Sequence, residues 1–246
     1  MRSKFLVCLL SSFFLAGAAL ADTKLGADEV LVKAAIQKQF PDIKLDSLQK
    51  TQYAGLYEAV MEGSQVFYTD KNASFILVGN LIDAKTQRNV TEERVRDLMR
   101  VKFDTLPLES AIKQVKGNGK RKLAVFSDPD CPYCRKLDTE LEKVTDVTIY
   151  TFLYPIASLH PQAGEKAKAV WCAPDRVKAW EDLIQKGTVP QTGVKCENPL
   201  AKIDELGRKL KITGTPTIIF ANGTRVPGAV PAANLEKLLN GERPQR

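Results

Sequence analysis

The sequence predicts two domains of different class, a small α+β module followed by a larger α/β domain. The chain has 246 residues, which is long for one small domain and natural for two. In the first part, a helical pattern precedes three short strand-like runs. In the second part, strand and helix patterns alternate, and a Cys-x-x-Cys pair lies at one strand-to-helix turn. That alternation is typical of an α/β fold.

The first 21 residues have the composition of an export signal. Arg2 and Lys4 precede an apolar run, and the Ala-Leu-Ala stretch at 19–21 fits a cleavage site. The apolar run is too short to cross a bilayer. We therefore expect a mature chain that begins at Asp22 and resides in an oxidising compartment, where cysteines pair.

Residues 22–83 predict a helix followed by an antiparallel sheet. Apolar residues recur at helical spacing over 27–40, and a proline follows. Strand-like runs at 53–61, 65–68 and 74–82 are separated by turn compositions. A module of about 60 residues has a thin core. We expect it to be a dimerisation domain, because an exposed edge strand invites pairing with a second copy.

Residues 84–116 are predicted to form a helical linker. Thr91 is a candidate helix cap, and Glu92 and Glu93 suit the positive end of the helix dipole. A Gly-Asn-Gly sequence then introduces the second domain, expected over 117–246.

The second domain alternates strands and helices. The predicted elements are a strand at 122–127, a helix from Pro132, a strand at 147–153, helices at 165–172, 175–186 and 200–210, hairpin strands at 217–220 and 224–226, and a helix at 233–239. This order, with a Cys-x-x-Cys pair near a βαβ pattern, is that of a thioredoxin fold with a helical insertion.

Cys131 and Cys134 are the candidate catalytic residues. The first sulfur is predicted to lie at a helix N-terminus, where unpaired N–H groups and the helix dipole favour a thiolate. Pro132 suits the first helical position. Cys134 follows one turn later, within reach of a disulfide. Tyr133 lies between the two cysteines, and we expect it to contact bound polypeptide.

A metal site and a structural disulfide are the alternatives for this pair. A zinc site needs a second ligand pair, whereas the cysteines at 8, 172 and 196 are isolated and the chain has one histidine. We expect neither a metal nor another cofactor. A structural disulfide across two residues would stabilise very little, so redox chemistry is favoured.

Other polar residues have ordinary interpretations. Asp128 and Asp130 are expected to cap the active-site helix or to tune its thiol, and His160 to be a surface turn residue beside a proline. The net charge of +7 is spread among acidic residues along the whole chain. It predicts a mixed, solvated surface and no nucleic-acid partner.

Four motifs together resemble the periplasmic thiol:disulfide interchange proteins of the DsbC/DsbG type. They are CPYC at 131–134, VWCA at 170–173, GTP at 214–216 and NGTRVPG at 222–228. The resemblance covers the whole mature sequence. It implies a cystatin-like dimerisation module, a helical linker and a thioredoxin domain.

The resemblance also implies residue roles. Cys131 would be the exposed attacking thiolate, and Cys134 the resolving thiol. Pro216 would be a cis-proline that faces them, while Thr215 would contact Cys131 and the substrate. In this scheme a thiolate attacks a substrate disulfide and forms a mixed disulfide.

Cys172 and Cys196 would form a second, structural disulfide according to the same resemblance. That pair is similar to the DsbC branch, whereas the Pro-Tyr dipeptide between the active cysteines is similar to the DsbG branch. We give the disulfide more weight, because two cysteines must be gained or lost together.

The implied function is that of a periplasmic protein-disulfide isomerase. It would be a V-shaped homodimer that acts on misfolded, disulfide-containing exported proteins and is kept reduced by a membrane thiol reductase of the DsbD type. Two alternatives remain open at this point. They are a DsbG-like reductase of sulfenylated cysteines and a dimeric holdase chaperone.

Overall fold

A computed structural model of the protein describes residues 26–191 and 196–242. The chain divides into two compact units, one that ends at Gly79 and one that begins at Asn80. The predicted export signal lies outside the described residues. Within the described ranges, no helix is both long and apolar enough to cross a membrane.

The first unit is a helix with a three-stranded antiparallel sheet. Its elements are α1 (Ala27–Gln39), β1 (Leu45–Lys50), β2 (Tyr57–Met61) and β3 (Gln65–Thr69), with the strands in sequence order. Val32 and Ile36 of α1 are buried in one apolar cluster with Leu48, Ala59 and Phe67 of the strands. The predicted α+β class is confirmed for this unit.

The strand β1 was not predicted. Leu48 is its only buried residue, and the pairing register shifts between Leu45 and Ser47. A bulge interrupts the alternation of inward and outward side chains. A polar strand with such an interruption carries too weak a period-two pattern to be recognised.

The strand predicted at 74–82 is wrong. Instead of a ladder, this segment forms two isolated bridges, from Leu77 to Tyr68 and from Ile82 to Asn89. Phe75 and Val78 are 42% and 77% exposed. An apolar run resembles a buried strand in sequence, but here its side chains stay at the surface of the chain.

The second unit contains a five-stranded mixed sheet and six helices among its described residues. In chain order the elements are α2 (Val90–Leu98), β4 (Ile112–Lys116), β5 (Arg121–Ser127), α3 (Pro132–Glu142), β6 (Val147–Leu153), α4 (Ala163–Cys172), α5 (Arg176–Lys186), α6 (Leu200–Lys209), β7 (Thr217–Phe220), β8 (Arg225–Pro227) and α7 (Ala232–Leu239). The strand order is β4-β6-β5-β7-β8. Only the β5–β6 pair is parallel within this sheet. The thioredoxin arrangement is confirmed, with α4 and α5 as the helical insertion.

The predicted helical linker is helical over only part of its length. After α2 come two short 3₁₀ turns and then β4, which occupies the last five residues of the predicted range. Val101 and Phe103 are buried in the same cluster as Phe126 of β5. The alternating burial of β4, with Ile112 inside and Lys113 outside, is a period-two pattern that its polar composition conceals.

The central strand β5 carries the active-site turn between two apolar layers. Leu123 and Val125 pack in a cluster with side chains of α3 and α7. Ala124 and Phe126 point to the other face, in a cluster that includes Ile203 of α6. Because both faces are covered, β5 is buried from Leu123 onward and holds the following turn in a fixed position.

Candidate active site

The turn after β5 places Cys131 at the start of α3. Cys131 is the N-cap residue, and Pro132 occupies the first helical position. The N–H of Cys131 donates to the carbonyl of Asp128 at 3.2 Å, and its own carbonyl accepts from the N–H of Cys134 at 3.1 Å. The Cys131 sulfur therefore lies at the positive end of the helix dipole, where an anion is favoured.

Cys131 is buried, contrary to the expectation of an exposed sulfur. Only 6% of the residue is accessible, and its Sγ lies 3.4 Å from the carbonyl oxygen of Thr215, to which it can donate. The peptide bond between Thr215 and Pro216 is cis. This loop covers the thiol from a position 84 residues away in sequence, so the exposed sulfur that the family resemblance implied is not found.

Cys134 is buried more deeply than Cys131, and its pKa is raised. It is 2% exposed, and its Sγ accepts from the backbone N–H of Asp128 at 3.3 Å. Burial raises the pKa of Cys134 to about 12, although hydrogen bonds from Ser127 and Asp128 oppose the rise. At neutral pH this residue is a thiol. The two cysteines, both free in the structure, are thus chemically unequal.

Tyr133 points away from this pair. It is 64% exposed, although the cysteines on either side of it are buried. The structure therefore brings together Cys131, Cys134 and the loop of Thr215 and Pro216, and leaves the Tyr133 ring at the surface.

The other two cysteines of the second unit are paired with each other. Cys172 and Cys196 are joined by a disulfide, with their Cα atoms 5.7 Å apart. The bond connects the end of α4 to the segment before α6 and so closes a loop that contains α5. A loop of this length corresponds to about 3 kcal/mol of stabilisation in the chain-entropy account.

Comparisons with known proteins cover both units. The family model described as a thioredoxin-like domain matches residues 108–241, and the one described as the N-terminal domain of a disulfide bond isomerase protein matches residues 17–92. A probable thiol:disulfide interchange protein DsbC from Bordetella parapertussis is 44% identical over 208 residues, which is 85% of this chain and 73% of the relative. The chain belongs to the DsbC family.

More distant relatives and a solved structure agree with this assignment. The thiol:disulfide interchange protein DsbC of Escherichia coli K12 is 27% identical over 87% of this chain and 88% of its own length. A crystal structure of a disulfide interchange protein from Neisseria gonorrhoeae is 49% identical. It covers 57% of this chain and 100% of its own, with a TM-score of 0.54. As a DsbC-family protein the chain is a thiol:disulfide oxidoreductase, and the resemblance to the DsbC branch is confirmed.

The sequence did not predict the contact between Asp128 and His160, which lies in the turn that leads to the two cysteines. Asp128 is completely buried, and its Oδ2 lies 3.0 Å from Nδ1 of His160, a residue expected at the surface. Beside them, Lys166 of α4 binds Asp130 at 2.6 Å. One signal was available in the sequence: an acidic residue directly follows the apolar run of a predicted strand.

Metal ligation has no candidate site in residues 26–191 and 196–242. There, no three side chains of the His, Cys, Asp or Glu type are grouped as a metal ion would require. The cofactor-free chemistry expected from the sequence remains a prediction.

Proposed function

We propose that the chain is a periplasmic protein-disulfide isomerase that rearranges wrong disulfides in exported proteins. The observation that carries the proposal is the inequality of two neighbouring thiols. Cys131 caps a helix N-terminus, whereas Cys134 is buried and its pKa is raised to about 12. Cys131 is therefore suited to attack a disulfide, whereas Cys134 is suited to react later, as the resolving thiol.

The first step is attack by Cys131 on a substrate disulfide. The helix N-terminus favours its thiolate. As the bond between Cys131 and one substrate sulfur forms, the substrate S–S bond breaks and the other substrate sulfur leaves as a thiolate. Thr215 and Pro216 border the attacking sulfur, so we assign them to substrate alignment. Exposed Tyr133 would supply an apolar contact to the polypeptide.

The second step is a competition for the mixed disulfide. Burial raises the pKa of Cys134 well above its usual range, so at neutral pH little of it is the reactive thiolate. Cys134 therefore attacks slowly, which leaves time for a second substrate thiolate to displace Cys131. That displacement forms a new substrate disulfide and regenerates the Cys131 thiolate. Attack by Cys134 instead releases reduced substrate and leaves Cys131 and Cys134 oxidised.

We also propose that the first unit forms a homodimer. It matches the N-terminal domain of disulfide bond isomerase proteins. The segment after β3 exposes Phe75, Leu77 and Val78 by 42%, 45% and 77%. Neighbouring apolar side chains at this exposure favour burial against a partner, and a second copy of the same surface would supply it.

The isomerase cycle needs Cys131 in its reduced form. Each reductive turnover oxidises the Cys131–Cys134 pair, and two electrons must return to it. In an oxidising compartment the donor would be a membrane thiol reductase of the DsbD type, whose own dithiol becomes a disulfide in the exchange.

The test is reactivation of scrambled, multi-disulfide ribonuclease in a glutathione buffer. We expect the intact protein to restore ribonuclease activity, Cys131→Ala to restore none, and Cys134→Ala to retain part of the isomerisation while losing catalysis of net reduction. Equal recovery by Cys131→Ala would identify a holdase. If the intact protein reduces a simple disulfide but does not reactivate ribonuclease, the sulfenic-acid reductase becomes the better assignment.

A further inference from the structure

The carboxylate of Asp128 anchors the turn that leads to the redox pair. One oxygen accepts the N–H of Asp130 at 2.8 Å, and the other accepts the N–H of Ile156 at 2.7 Å. Asp128 is 0% exposed. An ionised carboxylate only accepts hydrogen bonds, and it therefore fits a site where two backbone N–H groups converge.

His160 contacts this buried carboxylate and is itself partly exposed to solvent. Its Nδ1 lies 3.0 Å from Asp128 Oδ2, and its side chain is 23% exposed. The Nδ1 atom is itself buried and has no aligned hydrogen bond to any described residue, so the imidazole forms an ion pair with Asp128 only when it is protonated. His160 is the single histidine of the chain, and histidine changes its charge between roughly pH 5 and pH 8.

The backbone of Asp128 connects this pair to both cysteines. Its N–H donates to Cys134 Sγ at 3.3 Å, and its carbonyl accepts the N–H of Cys131 at 3.2 Å. The other charged groups of the turn are Asp130 and its ion-pair partner Lys166 on α4. Those two charges compensate each other across the histidine range, because neither an aspartate nor a lysine side chain ordinarily titrates there.

We propose that His160 is a positioning residue that makes the reactivity of Cys131 depend on pH through Asp128. This inference rests on the proposed role of Cys131 as the attacking thiol. Protonated His160 neutralises the Asp128 charge beside the turn and so reduces the repulsion felt by a Cys131 thiolate. When His160 loses its proton, the Asp128 carboxylate loses this counter-charge and keeps only its two backbone N–H donors. The pair therefore preserves the thiolate of Cys131 as the surroundings become acidic.

The first test compares the rate of Cys131 alkylation by iodoacetamide in the intact protein and in His160→Gln. Glutamine keeps a polar side chain but cannot carry the charge. We expect His160→Gln to react about three- to tenfold more slowly near pH 5 and at the same rate near pH 8.5. The matched control is Lys168→Gln, which removes one positive charge from an exposed position on α4 and should leave the pH profile unchanged.

The second test uses the intact protein alone. Coupling between two sites is reciprocal, so NMR titration of the single histidine should give a higher midpoint in the reduced protein than in the Cys131–Cys134 disulfide form. Equal midpoints, or superimposable pH–rate profiles of the intact protein and His160→Gln, would overturn the inference. Because this experiment uses only the intact protein, its result does not depend on whether a variant folds.

These measurements separate the inference from the proposed function. If ribonuclease is reactivated but the profiles coincide, only the role of His160 is wrong. If the profiles differ as expected and ribonuclease is not reactivated, the coupling stands and the isomerase assignment does not.

Discussion

At the first turn of α3, the position of each cysteine along the helix determines how readily its thiol ionises. Cys131 occupies the N-cap, whereas Cys134 lies one turn inside, among the side chains of α4 and α5. Ser127 and the N–H of Asp128 provide hydrogen bonds to Cys134, but burial outweighs them and raises its pKa. The proposed nucleophile and the proposed resolving thiol are thus distinguished by desolvation and by the helix terminus, not by residue type.

We predict selective alkylation of the reduced protein. At about pH 8, iodoacetamide should modify Cys131 and leave Cys134 intact, because only the thiolate reacts. The Cys134 thiol is neutral below its pKa of about 12, so its rate should rise about tenfold per pH unit up to that value. Mass spectrometry of the separated peptides measures both sites. Equal modification of the two cysteines at the lower pH would contradict this account.

At the scale of elements, a glycine lets α6 lie close to Tyr154. Tyr154, just beyond β6, stands edge-on to Phe126 with ring centroids 5.8 Å apart. Its hydroxyl can donate to the carbonyl of Ile212 at 3.4 Å. A Cβ on Gly207 of α6 would have to share space with this ring. Close approach of α6 to the sheet therefore depends on a residue without a side chain.

We predict that Gly207→Ala destabilises the protein by about 1–3 kcal/mol, the usual cost of overpacking a well-filled core. Gly164→Ala in α4 is the matched control, since a Cβ at that position would meet no other atom within 4 Å. It should be neutral or stabilising by up to about 1 kcal/mol, because alanine favours a helix over glycine. Urea unfolding compares the two variants. Equal midpoints would show that α6 can shift without loss.

At the scale of the whole molecule, the boundary of the catalytic unit lies earlier than the sequence suggested. The described residues divide at Gly79 and Asn80. Downstream of this boundary, β4 pairs with β6 from Ile112 to Lys116. A catalytic fragment that begins at residue 117 would lose that edge strand and the buried side chains of the preceding 3₁₀ turns.

We predict that the fragment 80–246 is a monomer that still reduces a simple disulfide through Cys131. Its isomerase activity should fall by about tenfold or more, because two linked sites hold a substrate better than one. Sedimentation and ribonuclease reactivation measure the two properties.

The control is the fragment 117–246. It should unfold at a lower temperature than 80–246, since it lacks β4 and part of the core around Phe126. Full isomerase activity in the monomeric 80–246 fragment would remove the role assigned to the first unit.

The sequence by itself determined the order of elements from β5 to α7 and the position of Cys131 and Cys134 at the start of α3. The strand at 147–153 and the helices on either side of Cys172 follow from local periodicity, and Pro132 marks the start of α3. The strands β1 and β4 were not predicted, because β1 buries a single side chain and the polar composition of β4 conceals its alternating burial.

Only the tertiary structure decided what surrounds the cysteines. Thr215 covers Cys131 across 84 residues of sequence, and Asp128 contacts His160 although α3, β6 and a loop separate them in sequence. Neither contact leaves a periodic trace, since each depends on how the sheet brings separate chain segments together. The same packing removes Cys134 from water. The raised pKa of Cys134 therefore depends on the fold, whereas the sequence alone shows only that a cysteine is present at this position.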